Sequence, residues 1–579
     1  MKKIINAPEH VVLEMCNGLV LAYPQLAFTE KYKIIKKRTI NDKKVSLISG
    51  GGSGHEPAHA GFVGEGMLDA AICGDVFASP SQIQVYQGIK EVATDAGVLM
   101  IIKNYSGDMM NFKNGAALAA EDGITVDYVR VDDDIAVEDS LYTVGRRGVA
   151  GTIFVHKVAG AAAEKGLSLQ EVKEAAQKAA QNVRSIGFAF TSCTVPANGS
   201  PTFTLADDEM EYGVGIHGEP GMRREKIVPA NELAIRMIDD LLRDLGDVND
   251  IALLVNGFGA SPLQELYILN HCVIRELTKR GITVHRTFVG NYMTSIDMAG
   301  ASLSILALDD ELKNYLDASS DTPAFKVDGP ALPITFTDVE TKAEAQHVSF
   351  TVETDAAHAH IGEQFTAQNM LYFVDKMSEV IIENEVPFCE LDTHAGDGDF
   401  GMSVAKGFKQ LKREWAAITP ADTTISRFLH EASLIIMEHC GGASGPIWGS
   451  AFRAASKATE GYDTLTVAQF ANMLQAAVNG IQATGERSFG RGAVVGDKTL
   501  IDALVPCVEA WQQQPESATF KDAFIAGAQA AVLGAEKTKD IVARMGRAGA
   551  VGERSLGYPD AGAYGLGVIF TALANDVKA

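Results

Sequence analysis

Val45-Ser46-Leu47-Ile48-Ser49-Gly50-Gly51-Gly52-Ser53-Gly54-His55-Glu56-Pro57 carries a short apolar run straight into a glycine-rich turn. Such a run, bounded by turn residues, reads as a buried strand. The glycines behind it let backbone amides approach a small polar ligand, as strand-to-helix turns of α/β sheets do. The turn has neither the GK[ST] of a Walker A loop nor the spacing of a dinucleotide fingerprint, so by itself it names no nucleotide. Similar apolar runs follow at Ala70-Ala71-Ile72-Cys73, Val98-Leu99-Met100-Ile101-Ile102 and Ile124-Thr125-Val126-Asp127-Tyr128-Val129, with helix-compatible segments at 82–96 and 115–121 between them. That alternation predicts βαβ units and a largely parallel sheet. A long helix is expected over 168–183. A second α/β portion carries Ala252-Leu253-Leu254-Val255-Asn256, Thr283-Val284-His285 and Leu303-Ser304-Ile305-Leu306-Ala307.

From about 318 to 360 the texture changes, with Pro323, Pro330 and Pro333 punctuating a Thr- and Asp-rich stretch that reads as a connector with some strand content. Beyond it, apolar residues recur at helical spacing over 365–384, 425–439, 467–483, 499–513, 520–538 and 563–575, separated by glycine-rich turns. These are the faces of a helical bundle. The expected fold class is therefore multidomain: an N-terminal α/β part of two subdomains at 1–325, a linker at 326–360 and an all-α part at 361–579.

The 579 residues exceed what one core organises, and 46% hydrophobic with 21% charged content is ordinary for a globular protein. A formal charge of -24, with no Lys/Arg-dense run, argues against nucleic-acid or anionic-membrane partners. No apolar stretch has the length to span a bilayer. The seven cysteines are scattered and form no CxxC pair, which disfavours a disulfide framework or thiolate zinc site and suits a reducing cytoplasm.

The chemistry concentrates in a few turns. Leu391-Asp392-Thr393-His394-Ala395-Gly396-Asp397-Gly398-Asp399-Phe400-Gly401 packs three carboxylates into eight residues. Each raises the free energy of its ionised neighbours, and a hard divalent cation removes that cost. An acidic surface turn or a calcium loop is the alternative, although the spacing departs from an EF-hand. Gly441-Gly442-Ala443-Ser444-Gly445-Pro446, with Pro446 at the first helical position, Gly496-Asp497-Lys498-Thr499 at a helix opening, 546–555 and Pro559-Asp560-Ala561-Gly562-Ala563 are further glycine turns, which an up-down bundle gathers at one end. In the front half, Lys103-Asn104-Tyr105-Ser106-Gly107-Asp108 ends a strand where a parallel sheet lines its ligand crevice, so Asp108 and His55 are expected to face one cavity. Asp108 equally suits a helix cap. Gly213-Val214-Gly215-Ile216-His217-Gly218-Glu219-Pro220-Gly221 presents a histidine between glycines, sterically open to a ligand, although a lone histidine is more commonly structural.

Taken together and in order, these segments, with His156-Lys157, resemble the dihydroxyacetone kinase family over nearly the whole chain, connector excepted. The front half is similar to its substrate-binding K domain, the rear half to its nucleotide-binding L domain, a closed helical barrel. The resemblance implies that His217 attacks the ketone of a short hydroxyketone through Nε2 to give a covalent hemiaminal, with Gly52, Ser53, Gly54, His55, Lys103 and Asp108 binding substrate. Asp108 is implied as the base and His55 as its acid/base partner. Asp392, Asp397 and Asp399 are implied as Mg2+ ligands, and Phe400, Gly401, Met402, Ser403, Ala443, Ser444, Arg547, Asp560, Ala561 and Gly562 as contacts to ATP. Phe400 stands where the family has His or Thr, and Ala561 where it has Pro. GGASG resembles separate L subunits recharged by a phosphocarrier, whereas fusion of K and L favours free ATP as donor. The expectation is an ATP-dependent kinase of dihydroxyacetone, a cytoplasmic homodimer without nucleic-acid or membrane partners. The alternatives are a kinase of a four-carbon ketose such as erythrulose, a phosphocarrier-dependent kinase, and a noncatalytic ligand sensor.

Overall fold

A computed structural model describes residues 2–138, 145–337, 350–545 and 552–578. The chain divides into two compact units, Met1–Glu340 and Thr341–Ala579.

The first unit holds two six-stranded sheets. One contains β1 (Leu26–Thr29), β2 (Ile34–Lys37), β3 (Ser46–Ser53), β4 (Ala70–Val76), β5 (Val98–Lys103) and β6 (Val126–Val131), in the order β1-β2-β4-β3-β5-β6. Strands β4, β3, β5 and β6 are parallel, as the alternation predicts. Every residue of β3 is buried, which is why this strand reads as an unbroken run rather than an alternating one. The crossover helix Gln82–Val92 starts at a capping box: the Ser81 hydroxyl accepts the Gln84 N–H, and the Gln84 side chain accepts the Ser81 N–H. Gly115 lets helix Ser106–Glu121 close on it, since a Cβ there would stand 2.8 Å from Val85 Cγ1.

The second sheet contains β7 (Val183–Ala189), β8 (Glu209–Tyr212), β9 (Arg223–Lys226), β10 (Asp250–Gly257), β11 (Thr283–Gly290) and β12 (Gly300–Ala307), ordered β11-β10-β12-β7-β8-β9. Only β10 and β11 run parallel; the other neighbours are antiparallel, so the α/β pattern here does not carry a parallel sheet. In the connector stretch, strand content reduces to Ser320–Asp321 paired with Lys326–Val327, and 338–349 lie outside the described residues.

In the second unit, helices Ala367–Glu383, Phe400–Arg413, Ile425–His439, Ser444–Ala458, Val467–Phe489, Ile501–Gln512, Phe520–Lys537 and Ala561–Asp576 pack each on the next, and the last returns to the first. This closed ring surrounds an apolar interior of Phe365, Phe373, Phe470, Trp511 and Phe524, with a cavity of about 150 Å³ at its centre. Periodicity anticipates six of these helices. It passes over Phe400–Arg413, and also Glu385–Ala395 beside the ring, whose sequences open or close in glycine and acid residues that read as turn, while Ser444–Ala458 is signalled only by Pro446 at its start. Asp392 consequently sits in the last turn of a helix rather than in a loop, Pro446 is the third residue of its helix rather than the first, and the helix after Lys498 begins only at Ile501. Among the described residues, no helix is long and apolar enough to cross a membrane.

Candidate functional site

Two constellations emerge, one in each unit. In the first, β3 delivers Gly51 to Ser53, β5 ends at Lys103, and helix Ser106–Glu121 starts with Asp108 in its first turn. Lys103 Nζ lies 3.3 Å from Asp108 Oδ2, and both side chains are buried. Asp108 therefore pairs with a lysine and does not cap its helix. Gly51 is the residue that makes room: a Cβ there would stand 2.8 Å from Lys103 Nζ and 3.3 Å from Asp108 Oδ2. Ser53 donates its hydroxyl to the Gly74 carbonyl, while the Gly54 N–H is taken by the Glu56 carboxylate, so these two turn residues are fixed from within.

His55 is completely buried, and His217 approaches it with 3.2 Å between the two Nε2 atoms. His55 Nδ1 lies 2.8 Å from the Thr294 carbonyl, which can only accept, so Nδ1 carries the proton there. Burial, then His217 and Lys103, holds the His55 imidazole well below its ordinary pKa, so the ring is neutral and its Nε2 is an acceptor. The proton in the His55–His217 contact accordingly belongs to His217 Nε2. His217 is held at about 3 by burial first and then by the positive charges of Lys103 and Arg147. Phe77 and Tyr105 wall the pair, with ring centroids 5.2 and 4.6 Å from that of His217. The buried Tyr105 hydroxyl has no hydrogen-bond partner among the described residues. Sequence reading omitted Gly51, Phe77 and Tyr105. Gly51 and Tyr105 carried a signal, the one inside the glycine-rich turn and the other between Lys103 and Asp108; Phe77 carried none.

Next to this pair, His59 Nδ1 and His156 Nε2 meet at 2.9 Å, both rings buried. Burial and Lys103 keep both neutral, His156 at about 3.

In the second unit, a cavity of about 170 Å³ is lined by Asp392, Asp397, Asp399, Phe400, Ser403, Ala443, Ser444, Asp560, Ala561 and Gly562 among others. One carboxylate oxygen from each of Asp392, Asp397 and Asp399 lies within 4.8 Å of the others. Asp392 Oδ2 also accepts the N–H groups of Gly398 and Phe400, folding the acidic turn around its own carboxylate. Burial first, eased by those two bonds and aggravated by Asp397 and Asp399, raises the Asp392 pKa. The Gly441 N–H donates to the Ser403 carbonyl at 3.1 Å, drawing the 441–446 turn onto the first turn of helix Phe400–Arg413. Asp560 caps its helix through the Ala563 N–H and is pushed up to about 7, by burial and then by Asp502 and Asp392. Gly401 packs against Glu385, and Met402 is exposed; neither lines the cavity. Arg547 lies outside the described residues.

Lys498 also lines this cavity, and sequence reading gave it no role. Its three donors meet three carbonyls, of Ile541 (3.2 Å), Ser555 (2.5 Å) and Tyr558 (2.8 Å), at a backbone φ of 62°. The ammonium is thus saturated by main chain and braces the wall of the cavity.

A Dak1 domain matches residues 17–324 and a DAK2 domain residues 394–575. The chain is 36% identical to a putative 3,4-dihydroxy-2-butanone kinase of Solanum lycopersicum, over 100% of this chain and 98% of that protein. It is 52% identical to the dihydroxyacetone-binding subunit DhaK of a PTS-dependent dihydroxyacetone kinase of Listeria innocua, over 54% of this chain and 95% of the subunit. The crystal structure of the C. freundii dihydroxyacetone kinase in complex with AMP-PNP and Mg2+ covers 99% of each chain at 31% identity, with a TM-score of 0.63. The chain belongs to the dihydroxyacetone kinase family of kinases, in the form that fuses a Dak1 and a DAK2 domain in one polypeptide.

Proposed function

We propose that this chain transfers a phosphoryl group from ATP to a terminal hydroxyl of dihydroxyacetone, gripped as a hemiaminal on His217. The observation that carries the reading is the neutral His55–His217 pair, 3.2 Å apart, beside the buried Lys103–Asp108 pair. An uncharged imidazole is a competent nucleophile toward a carbonyl. With its proton on Nε2, His217 has no lone pair there to attack with, so that proton must pass to His55 Nε2 as the C–N bond forms. His55 returns it to the carbonyl oxygen, so N–H plus C=O becomes N–C–OH with no net change of charge. A polyol offers no such carbon and would not be held. Gly52, Ser53, Gly54 and Lys103 would cradle the substrate oxygens, and Asp108 would take the proton of the hydroxyl that is phosphorylated.

The oxygen-only donor set of Asp392, Asp397 and Asp399 fits Mg2+, and a related structure contains AMP-PNP with Mg2+. Bound there, Mg2+ would supply charge neutralisation for the transferring phosphoryl group. Phe400, Ser403, Ala443, Ser444, Asp560, Ala561 and Gly562, which line the cavity, are with Arg547 the proposed nucleotide contacts, while Gly401 and Met402 stand outside its lining. The strong likeness to a PTS-dependent subunit is confined to the front half and so bears on the ketone, while the full-length likenesses favour free ATP as donor. The Solanum relative's name gives a second reading, a four-carbon hydroxyketone as substrate. A cytoplasmic homodimer with residues 326–360 as linker completes the proposal. Purified protein, ATP and Mg2+, offered a panel of C3 and C4 hydroxyketones, should phosphorylate dihydroxyacetone without any added carrier. A better kcat/KM on a C4 ketone would favour the second reading, and dependence on a phosphocarrier would remove ATP.

A further inference from the structure

Resting on the assignment of His217 as the group that grips the carbonyl, we infer that Glu219 and Arg147 are positioning residues that hold His217 against His55. Arg147 is 1% exposed, and its guanidinium is spent on three partners. Nε donates to Asp134 Oδ2 at 2.7 Å, Nη1 to Glu219 Oε1 at 3.1 Å and Nη2 to the Gly213 carbonyl at 3.0 Å. The second oxygen of Glu219 accepts the main-chain N–H of His217 itself, at 2.8 Å. One guanidinium thus ties both ends of the 213–219 turn, and one carboxylate bridges that guanidinium to the nucleophile's own amide.

The turn is shaped around this bridge. A Cβ on Gly215 would stand 1.8 Å from Glu219 Oε1 and 2.6 Å from Arg147 Nη1, so the carboxylate and guanidinium occupy the space that any side chain there would fill. A buried ion group of this kind adds little stability of its own, because desolvation offsets the attraction. Its effect is geometric, fixing where the backbone of residue 217 lies. The Arg147 charge has a further consequence: after burial, it joins Lys103 in keeping the imidazole uncharged.

Glu219→Gln tests this. Whichever way the amide turns, its NH2 faces either the Arg147 guanidinium or the His217 N–H, so one of the two bonds becomes a donor-to-donor clash. KM for dihydroxyacetone should rise about ten- to a hundredfold, the range for losing one hydrogen bond to a charged group. The kcat should stay within about threefold, because transfer acts at the distal hydroxyl once the adduct has formed. Adduct occupancy in native mass spectrometry should fall in parallel. Gly215→Ala should do the same without removing any charge, by displacing the carboxylate. Absence of an adduct in the wild type would overturn the His217 assignment itself. A wild-type adduct with unchanged KM and occupancy in both variants would overturn the inference alone. So would a joint fall of kcat and circular dichroism in both variants, which would reduce the pair to a structural brace.

Discussion

Replacing Asp397 by Asn should raise the metal-free stability of the helical unit and abolish its response to Mg2+. The three aspartates bring one oxygen each within 4.8 Å of the others. Two unit charges at that separation repel by about 1 kcal/mol in bulk water and about 3.5 kcal/mol at an effective dielectric of 20. Asp397 is exposed and its two partners are half-exposed, so solvent screening selects the lower figure. Asp397 enters two such pairs, and its neutralisation should therefore remove about 1–2 kcal/mol of repulsion within the acidic cluster. For a unit of this size that is a rise of roughly 2–8 °C in Tm. All three tryptophans, Trp415, Trp448 and Trp511, lie in the helical unit, so tryptophan fluorescence follows its melting without interference from the α/β unit. Mg2+ should raise the Tm of the wild type by mass action and leave the variant unmoved, and turnover with ATP should be lost. A metal-free variant that melts below the wild type, or one that still gains stability from Mg2+, refutes the reasoning.

His217→Ala should raise the apparent KM for dihydroxyacetone by at least tenfold and remove the covalent adduct; an adduct that survives in the variant contradicts the assignment. His55, His59, His156 and His217 are all buried with depressed pKa values, to about 3 for His156 and His217. Each binds a proton in the unfolded chain near pH 6.5 but not in the folded one, so their contribution is complete above that pH and is lost as pH falls below it, by up to about 1.4 kcal/mol per pH unit per histidine. Protection factors in β3 and β5, referred to the intrinsic exchange rate at each pH, should accordingly fall between pH 6.5 and 4; unchanged protection would show that these rings are not neutral by burial. Lys498→Met should raise KM for ATP severalfold while leaving KM for the ketone unchanged, since three carbonyls of the cavity wall lose their shared donor; equal effects on both KM values would contradict a local brace. Gly407→Ala should destabilise the helical unit by about 1–3 kcal/mol through overpacking, because its Cβ would fall 2.1 Å from Cys440 Sγ. Cys440→Ala in the same chain should recover part of that loss, and a lack of any recovery would place the clash elsewhere.

The central strands of the first sheet were legible because both of their faces are buried, which writes them as unbroken apolar runs. The same property hid the direction of the second sheet. Leu303 to Leu306 are all buried, so β12 reads like a parallel strand although it runs against both neighbours. Long amphipathic helices such as Ile425–His439 declared themselves by period, whereas Glu385–Ala395 ends in residues chosen for the acidic site rather than for helix. Among candidate residues, His55, His217, Lys103 and Asp108 were visible as motif members and do converge. Arg147 and Glu219 were not readable as a pair, since 72 positions separate them and only the fold brings them to 3.1 Å. Lys498 looked like a helix-opening residue because its three acceptors are main-chain carbonyls, which leave no trace in side-chain chemistry.

The covalent grip of the front unit on a ketone is open to one direct measurement: 13C NMR of the protein with dihydroxyacetone labelled at its carbonyl carbon. The bound label should leave the carbonyl region for that of a tetrahedral carbon bonded to nitrogen and oxygen, and should do so in Asp397→Asn but not in His217→Ala. A bound label that keeps its carbonyl resonance, or a tetrahedral signal undiminished in His217→Ala, would contradict the account.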